Sequence, residues 1–114
     1  MRVQFDEADG VLVSHLIGNL EHLAVGEFRD AVAQISAAKR VIFELSAVPF
    51  VDSAGLGALI GAIRRTRELR GEAVVSSARP SVKRVLEIVG LPRIVNIFDD
   101  VGQALAYFSR KEVA

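Results

Sequence analysis

The hydrophobic pattern changes period several times along the chain, and each change marks an element. Val3 to Asp6 and Val11 to Ile17 are short β-rich runs separated by Glu7-Ala8-Asp9-Gly10. Asp-Gly between two such runs predicts a hairpin, because glycine supplies the positive φ of the turn. Gly18-Asn19 ends the second run. From Val25 the spacing becomes helical: Phe28, Val32 and Ile35 recur with Glu27, Arg29, Asp30 and Gln34 between them. Val41 to Leu45 is almost wholly apolar, which predicts a central strand buried on both faces.

Pro49 ends that segment, and Asp52-Ser53 offer two N-cap side chains to a helix from about Ala54 to Leu69, with Gly71 as its C-cap. Ala73 to Ser76 reads as another buried strand. Pro80-Ser81 open a short helix over Val82 to Val89, closed by Gly90. Ile94 to Phe98 reads as a last strand and Val101 to Phe108 as a last helix. Strands alternating with crossover helices require a mostly parallel sheet. The expected fold is therefore α/β: one domain over residues 1–114, a mostly parallel sheet with an N-terminal edge hairpin, and about four helices.

Composition narrows the function. The chain has 114 residues, 51% hydrophobic and 25% charged, enough for a core without staples. Fourteen basic and fourteen acidic residues cancel, so the charge excess that drives nucleic-acid or anionic-membrane binding is missing. No cysteine is present, which excludes disulfides, thiolate metal sites and Cys nucleophiles. The longest apolar run, Ala54 to Ile63, is shorter than the ~18–20 residues of a membrane span. The acidic start, Asp6-Glu7, is unlike a signal peptide. These features predict a soluble, cytoplasmic protein without metal or cofactor.

Catalytic constellations are missing. There is no phosphate-binding glycine motif and no histidine pair at metal-ligand spacing. Asp52-Ser53-Ala54-Gly55 resembles a nucleophile elbow, but Val51 stands where the first glycine belongs. The two histidines, His15 and His22, precede Ser53 and read as a half-exposed strand residue and a solvated loop residue.

On a wheel of 100° per residue, Leu56, Leu59, Ile60 and Ile63 form the stripe that packs on the sheet. Ala54, Gly57, Ala58 and Gly61 fall opposite, followed by Arg64, Arg65 and Glu68. Each glycine in a helix interior costs roughly 1 kcal/mol relative to Ala, so these need a reason. Either they relieve crowding inside the domain, or they leave a smooth face on which a partner lies close. Ser53 has two readings as well. It is a plain N-cap, or Asp52 is the cap and the Ser53 hydroxyl is open to a kinase, at a helix end suited to phosphate. A phosphoserine there would switch a docking surface without breaking the fold.

The same residues carry a resemblance. From about Val11 to Phe108 the chain resembles the STAS domain, specifically the bacterial anti-sigma factor antagonists. The landmarks are Ile17-Gly18-Asn19-Leu20-Glu21, Val41 to Ser46, Phe50-Val51-Asp52-Ser53-Ala54-Gly55-Leu56-Gly57, Pro80 to Leu86, and Gly90 to Ile94. The resemblance implies a non-enzymatic partner switch. The unphosphorylated protein would bind an anti-sigma factor that is also a serine kinase, freeing a sigma factor. Phosphorylation of Ser53 would discharge it, and a serine phosphatase would restore it. Asp52 would support the phosphorylation site, and the face from Gly55 to Arg65 would dock the partner.

Glu21 stands where members of the family usually carry Asp, and Glu44 where many carry Asp or Asn, which makes both possible carboxylates beside the site. Ala54 replaces a frequent second serine. The chain would act as a monomer or weak dimer. The alternative is a STAS accessory subunit or scaffold of a membrane transporter or stress complex.

Overall fold

The computed structural model describes residues 1–113. Strands β1 (Arg2–Ala8) and β2 (Val11–Ile17) form the N-terminal hairpin. Asp9 and Gly10 both have positive φ, 53° and 76°, the requirement of a type I′ turn whose twist matches that of the strands. The chain continues through a 3-10 turn at His22–Ala24, α1 (Val25–Val32), β3 (Arg40–Ala47), α2 (Ser53–Glu68), β4 (Glu72–Ser76), α3 (Pro80–Ile88), a 3-10 turn at Leu91–Arg93, β5 (Ile97–Phe98) and α4 (Val101–Val113). The strands lie in the order β1-β2-β3-β4-β5. β1 is antiparallel to β2, and every later pair is parallel.

Side chains alternate across a strand, and here the two faces are covered unequally. Leu16, Val41, Phe43, Leu45, Ala73 and Val75 join the large core with residues of α1, α2 and α3. Phe28 meets Phe43 edge to face at 6.2 Å. The opposite face offers Val11, Val13, Ile42 and Val74 to α4, through Ala104 and Phe108. Lys111 Nζ, 2.7 Å from Glu72 Oε1, and the Tyr107 hydroxyl tie α4 to the sheet. Burial pushes the Glu72 carboxyl upward, but the hydrogen bonds from Lys111 and Tyr107 outweigh it and leave the group below its ordinary value.

Two expectations need correction. The last strand is not Ile94 to Phe98 but only Ile97–Phe98; the 3-10 turn runs up to Ile94, whose carbonyl accepts from Arg67. Gly71 is not the left-handed cap of α2. Arg70 takes that conformation, at φ 67°, and Gly71 is needed for close approach: a Cβ there would sit 2.3 Å from the Lys39 carbonyl oxygen.

Candidate functional site

The loop after β2 and the loop before α2 are knitted into one unit. Leu20 and Val51 form an isolated parallel bridge. Leu20 N–H donates to the Phe50 carbonyl at 2.9 Å, and Asp52 N–H to the Leu20 carbonyl at 3.2 Å. Asp52 completes the joint with its side chain. Oδ1 accepts from Gly55 N–H at 2.7 Å and Oδ2 from His22 N–H at 3.0 Å.

Asp52 is thus the N-cap of α2, in extended backbone, satisfying a donor that every helix start leaves orphaned. The Gly55 N–H and then the His22 N–H stabilise its charged form and hold the carboxyl below its ordinary value. Of the two readings left open by the sequence, the cap belongs to Asp52. Ser53 is the first helical residue, is exposed, and its hydroxyl makes no hydrogen bond among the described residues.

The small residues of α2 divide between the two readings. Gly57 and Gly61 are exposed, and a Cβ on either would meet nothing within 4 Å. Gly55 does the opposite and must be withdrawn from the docking face. It is buried, and a Cβ there would lie 1.8 Å from the Leu20 carbonyl oxygen. Ala58, expected outward, is also buried, at 4% exposure. It forms part of the floor of a groove of about 260 Å³ between α1 and α2, whose walls include Phe28, Val32, Gly57, Gly61 and Arg65. Ala54 is half-buried at the head of the helix, and Arg64 is exposed.

Arg65 is another correction. Its Nη1 donates to the carbonyls of Val32 at 3.1 Å and Ile35 at 3.3 Å, and Nη2 to Ala33 at 3.4 Å. Those carbonyls lie at and just past the end of α1, so the guanidinium closes a helix C-terminus and is not a spare cation.

The two carboxylates part company. Glu21 is next to His22 in the loop that Asp52 holds, so it borders the site. Glu44 does not. It shares the sheet face of Ile42, which α2 does not cover. There Ser46 N–H and Oγ donate to its Oε1 at 3.1 and 2.9 Å, and His15 Nδ1 lies 3.6 Å away. On its other side His15 Nε2 is 3.0 Å from Asp6 Oδ2. The run Val41 to Leu45 hid this, since a strand buried on both faces shows no alternation.

Two residues escaped the sequence reading. Leu23 is 86% exposed and Phe50 50% exposed. Both sit in the loops joined at Asp52, so the start of α2 is flanked by two apolar side chains in water. Their signal was positional: Phe50 follows the strand-ending Pro49, and Leu23 precedes the helical spacing that begins at Val25. Among the described residues no group of His, Asp and Glu could hold a metal ion, and no helix is long and apolar enough to cross a membrane.

The STAS domain family model matches residues 2–104. An anti-sigma F factor antagonist of Paenibacillus polymyxa is 30% identical over 108 residues, covering 92% of each chain. Among solved structures, an anti-sigma factor antagonist from Mycobacterium paratuberculosis superimposes with a TM-score of 0.76 at 23% identity, over 93% of this chain and 92% of its own. The Bacillus cell fate determinant SpoIIAA in its phosphorylated form does so with a TM-score of 0.67 at 20% identity, over 94% and 99%. With the knitted Asp52 cap, the exposed Ser53 and the five-stranded sheet, these likenesses settle the family: the chain belongs to the STAS domain family, among its anti-sigma factor antagonists.

Proposed function

We propose that this protein is a phosphorylation-controlled partner switch whose acceptor is Ser53. Unphosphorylated, it binds an anti-sigma factor that is also a serine kinase, and so releases a sigma factor. The names of its relatives support an anti-sigma partner. It acts by binding rather than by turnover.

The observation that carries the reading is the division of labour at the head of α2. Because Asp52 supplies the cap, the Ser53 hydroxyl is spared for chemistry. Transfer of the γ-phosphoryl group of ATP forms the Oγ–P bond, breaks the bond to the β-phosphate bridging oxygen and releases the hydroxyl proton. The product carries about −1.5 to −2 charges at a helix N-terminus that tolerates them. A serine phosphatase reverses the step with water, returning the hydroxyl and inorganic phosphate.

The docking surface runs from Leu23 and Phe50 over Ser53 to Gly57, Gly61 and Arg64, beside the groove against α1. Side-chain-free glycines let a partner's backbone approach, and the two exposed apolar residues give it something to bury. A doubly charged group set among them must lose water without a matched cation, which expels the partner.

The test is incubation with the cognate kinase and ATP, followed by mapping of sites by mass spectrometry. A single phosphate at Ser53 is the expected result. Modification chiefly at Ser76, Ser77 or Ser81 would overturn the assignment.

A further inference from the structure

The two edges of the sheet are guarded very differently. β5 ends one side with only two residues, Ile97–Phe98, too short to template another strand. β1 ends the other side with seven, paired to β2 residue for residue from Arg2 opposite Ile17 to Ala8 opposite Val11. It has no proline and no bulge to guard it, and its charged residues, Arg2, Asp6 and Glu7, are of both signs. Among the described residues its outer side pairs with no strand.

The hairpin turn fixes which groups face outward. A two-residue type I′ turn makes Ala8 and Val11 a hydrogen-bonded pair. In an antiparallel ladder such pairs alternate, so Ala8, Asp6, Gln4 and Arg2 direct their N–H and C=O groups to β2. Val3, Phe5 and Glu7 therefore present theirs to the free side. Any antiparallel strand added there must form its hydrogen-bonded pairs on these residues.

We propose that the strand added is β1 of a second copy, related by a two-fold axis with Gln4 opposite Gln4. The sequence of the strand is complementary to itself in this register. Val3 faces Phe5 of the second copy in a hydrogen-bonded pair, and Arg2 faces Asp6 in the closer, non-hydrogen-bonded position, each twice by symmetry. Arg2, Gln4 and Asp6 are exposed, and Val3 and Phe5 are half-buried, with surface left to cover. The neighbouring register allowed by the ladder sets Phe5 against Phe5. It places Arg2 opposite Ala8 and Asp6 opposite Gln4, losing both ion pairs. Two seven-residue strands make a small interface, so the association belongs to the weak, reversible class. It leaves α2 uncovered, since α2 follows β3 in the interior of the sheet.

The chain has no cysteine, so a Gln4→Cys variant reports the register directly. Under mild oxidation it should form a disulfide dimer at least tenfold faster than an Arg84→Cys variant on the exposed face of α3. Sedimentation equilibrium of the unmodified protein should show a dimer as concentration rises toward about 1 mM, the range of weak association. Arg2→Glu should weaken it tenfold or more, and Arg2→Glu with Asp6→Arg should restore it. A monomer throughout that range, or Gln4→Cys linking no faster than Arg84→Cys, overturns the proposal. The Gln4→Cys measurement leaves Asp6 bonded to His15 and so does not depend on the charge-reversed variants folding. Neither kinase nor ATP is present, so the result is independent of the reading of Ser53.

Discussion

Gly55 and Gly61 lie six residues apart on one helix and do opposite work. At Gly55 the missing side chain admits another part of the same chain: the Leu20 carbonyl occupies the space a Cβ would need. At Gly61 the missing side chain admits nothing from the domain, and the space is open. The first glycine holds the loop after β2 against the head of α2, and so builds the platform on which Asp52 and Ser53 stand. The second costs the helix roughly 1 kcal/mol in propensity with no intramolecular return. In the proposed docking mode, the open space at Gly61 is where a partner's backbone would approach.

The largest effect is expected at the buried glycine. Gly55→Ala forces a Cβ to 1.8 Å from a backbone oxygen that has no rotamer to escape into. It should cost at least ~2 kcal/mol in urea denaturation. A variant as stable as wild type would show that the two loops are not packed as described.

Next is the cap itself. Asp52→Ala removes the acceptor for both Gly55 N–H and His22 N–H, so its thermal melt should fall below that of Ser53→Ala. The pH dependence has a definite sign. The folded-state carboxyl is held below its ordinary value of 3.8, so its contribution is present above that value and is lost as pH falls through the lower, folded-state value. Asp52→Asn should therefore flatten the acid limb of the stability profile; an unchanged limb would contradict the cap.

At the exposed glycine the expectation reverses. Gly61→Gln should leave stability unchanged or raise it by up to about 1 kcal/mol, while weakening anti-sigma binding in titration calorimetry. Intact binding with a collapsed melting temperature would place Gly61 inside the fold. Smallest of all, Ser53→Ala should change stability by less than about 0.5 kcal/mol, the range of an exposed site without a packing role. It should still bind, and should resist discharge by ATP.

Much of this was legible in the sequence, for physical reasons that can be named. The Asp9-Gly10 turn, the apolar β3 and the Asp52-Ser53 helix start each rest on a local rule, and the structure keeps all three. What depends on tertiary approach was not legible. Gly55 and Gly57 are the same residue on the same turn, and only the course of the Leu20 carbonyl tells them apart. Arg65 looked like a free cation because the carbonyls it closes belong to another helix. Glu44 is expected beside the site only because many members of the family carry Asp or Asn there, whereas the pleat turns its side chain to the opposite face. Nothing local marks Leu23 and Phe50 as exposed, since burial of an apolar side chain is the default and its exposure cannot be read from residue type alone.

In the proposed switch, one hydroxyl spared from structural duty, that of Ser53, controls the docking face. The direct measurement is titration calorimetry of the anti-sigma partner against wild-type protein before and after stoichiometric phosphorylation at Ser53, with thermal melts of both forms. Phosphorylation should abolish or severely weaken binding while the melting temperature stays within the few degrees expected of a charge added at a helix N-terminus. Equal binding by both forms, or loss of binding only because the phosphorylated protein has unfolded, would contradict it.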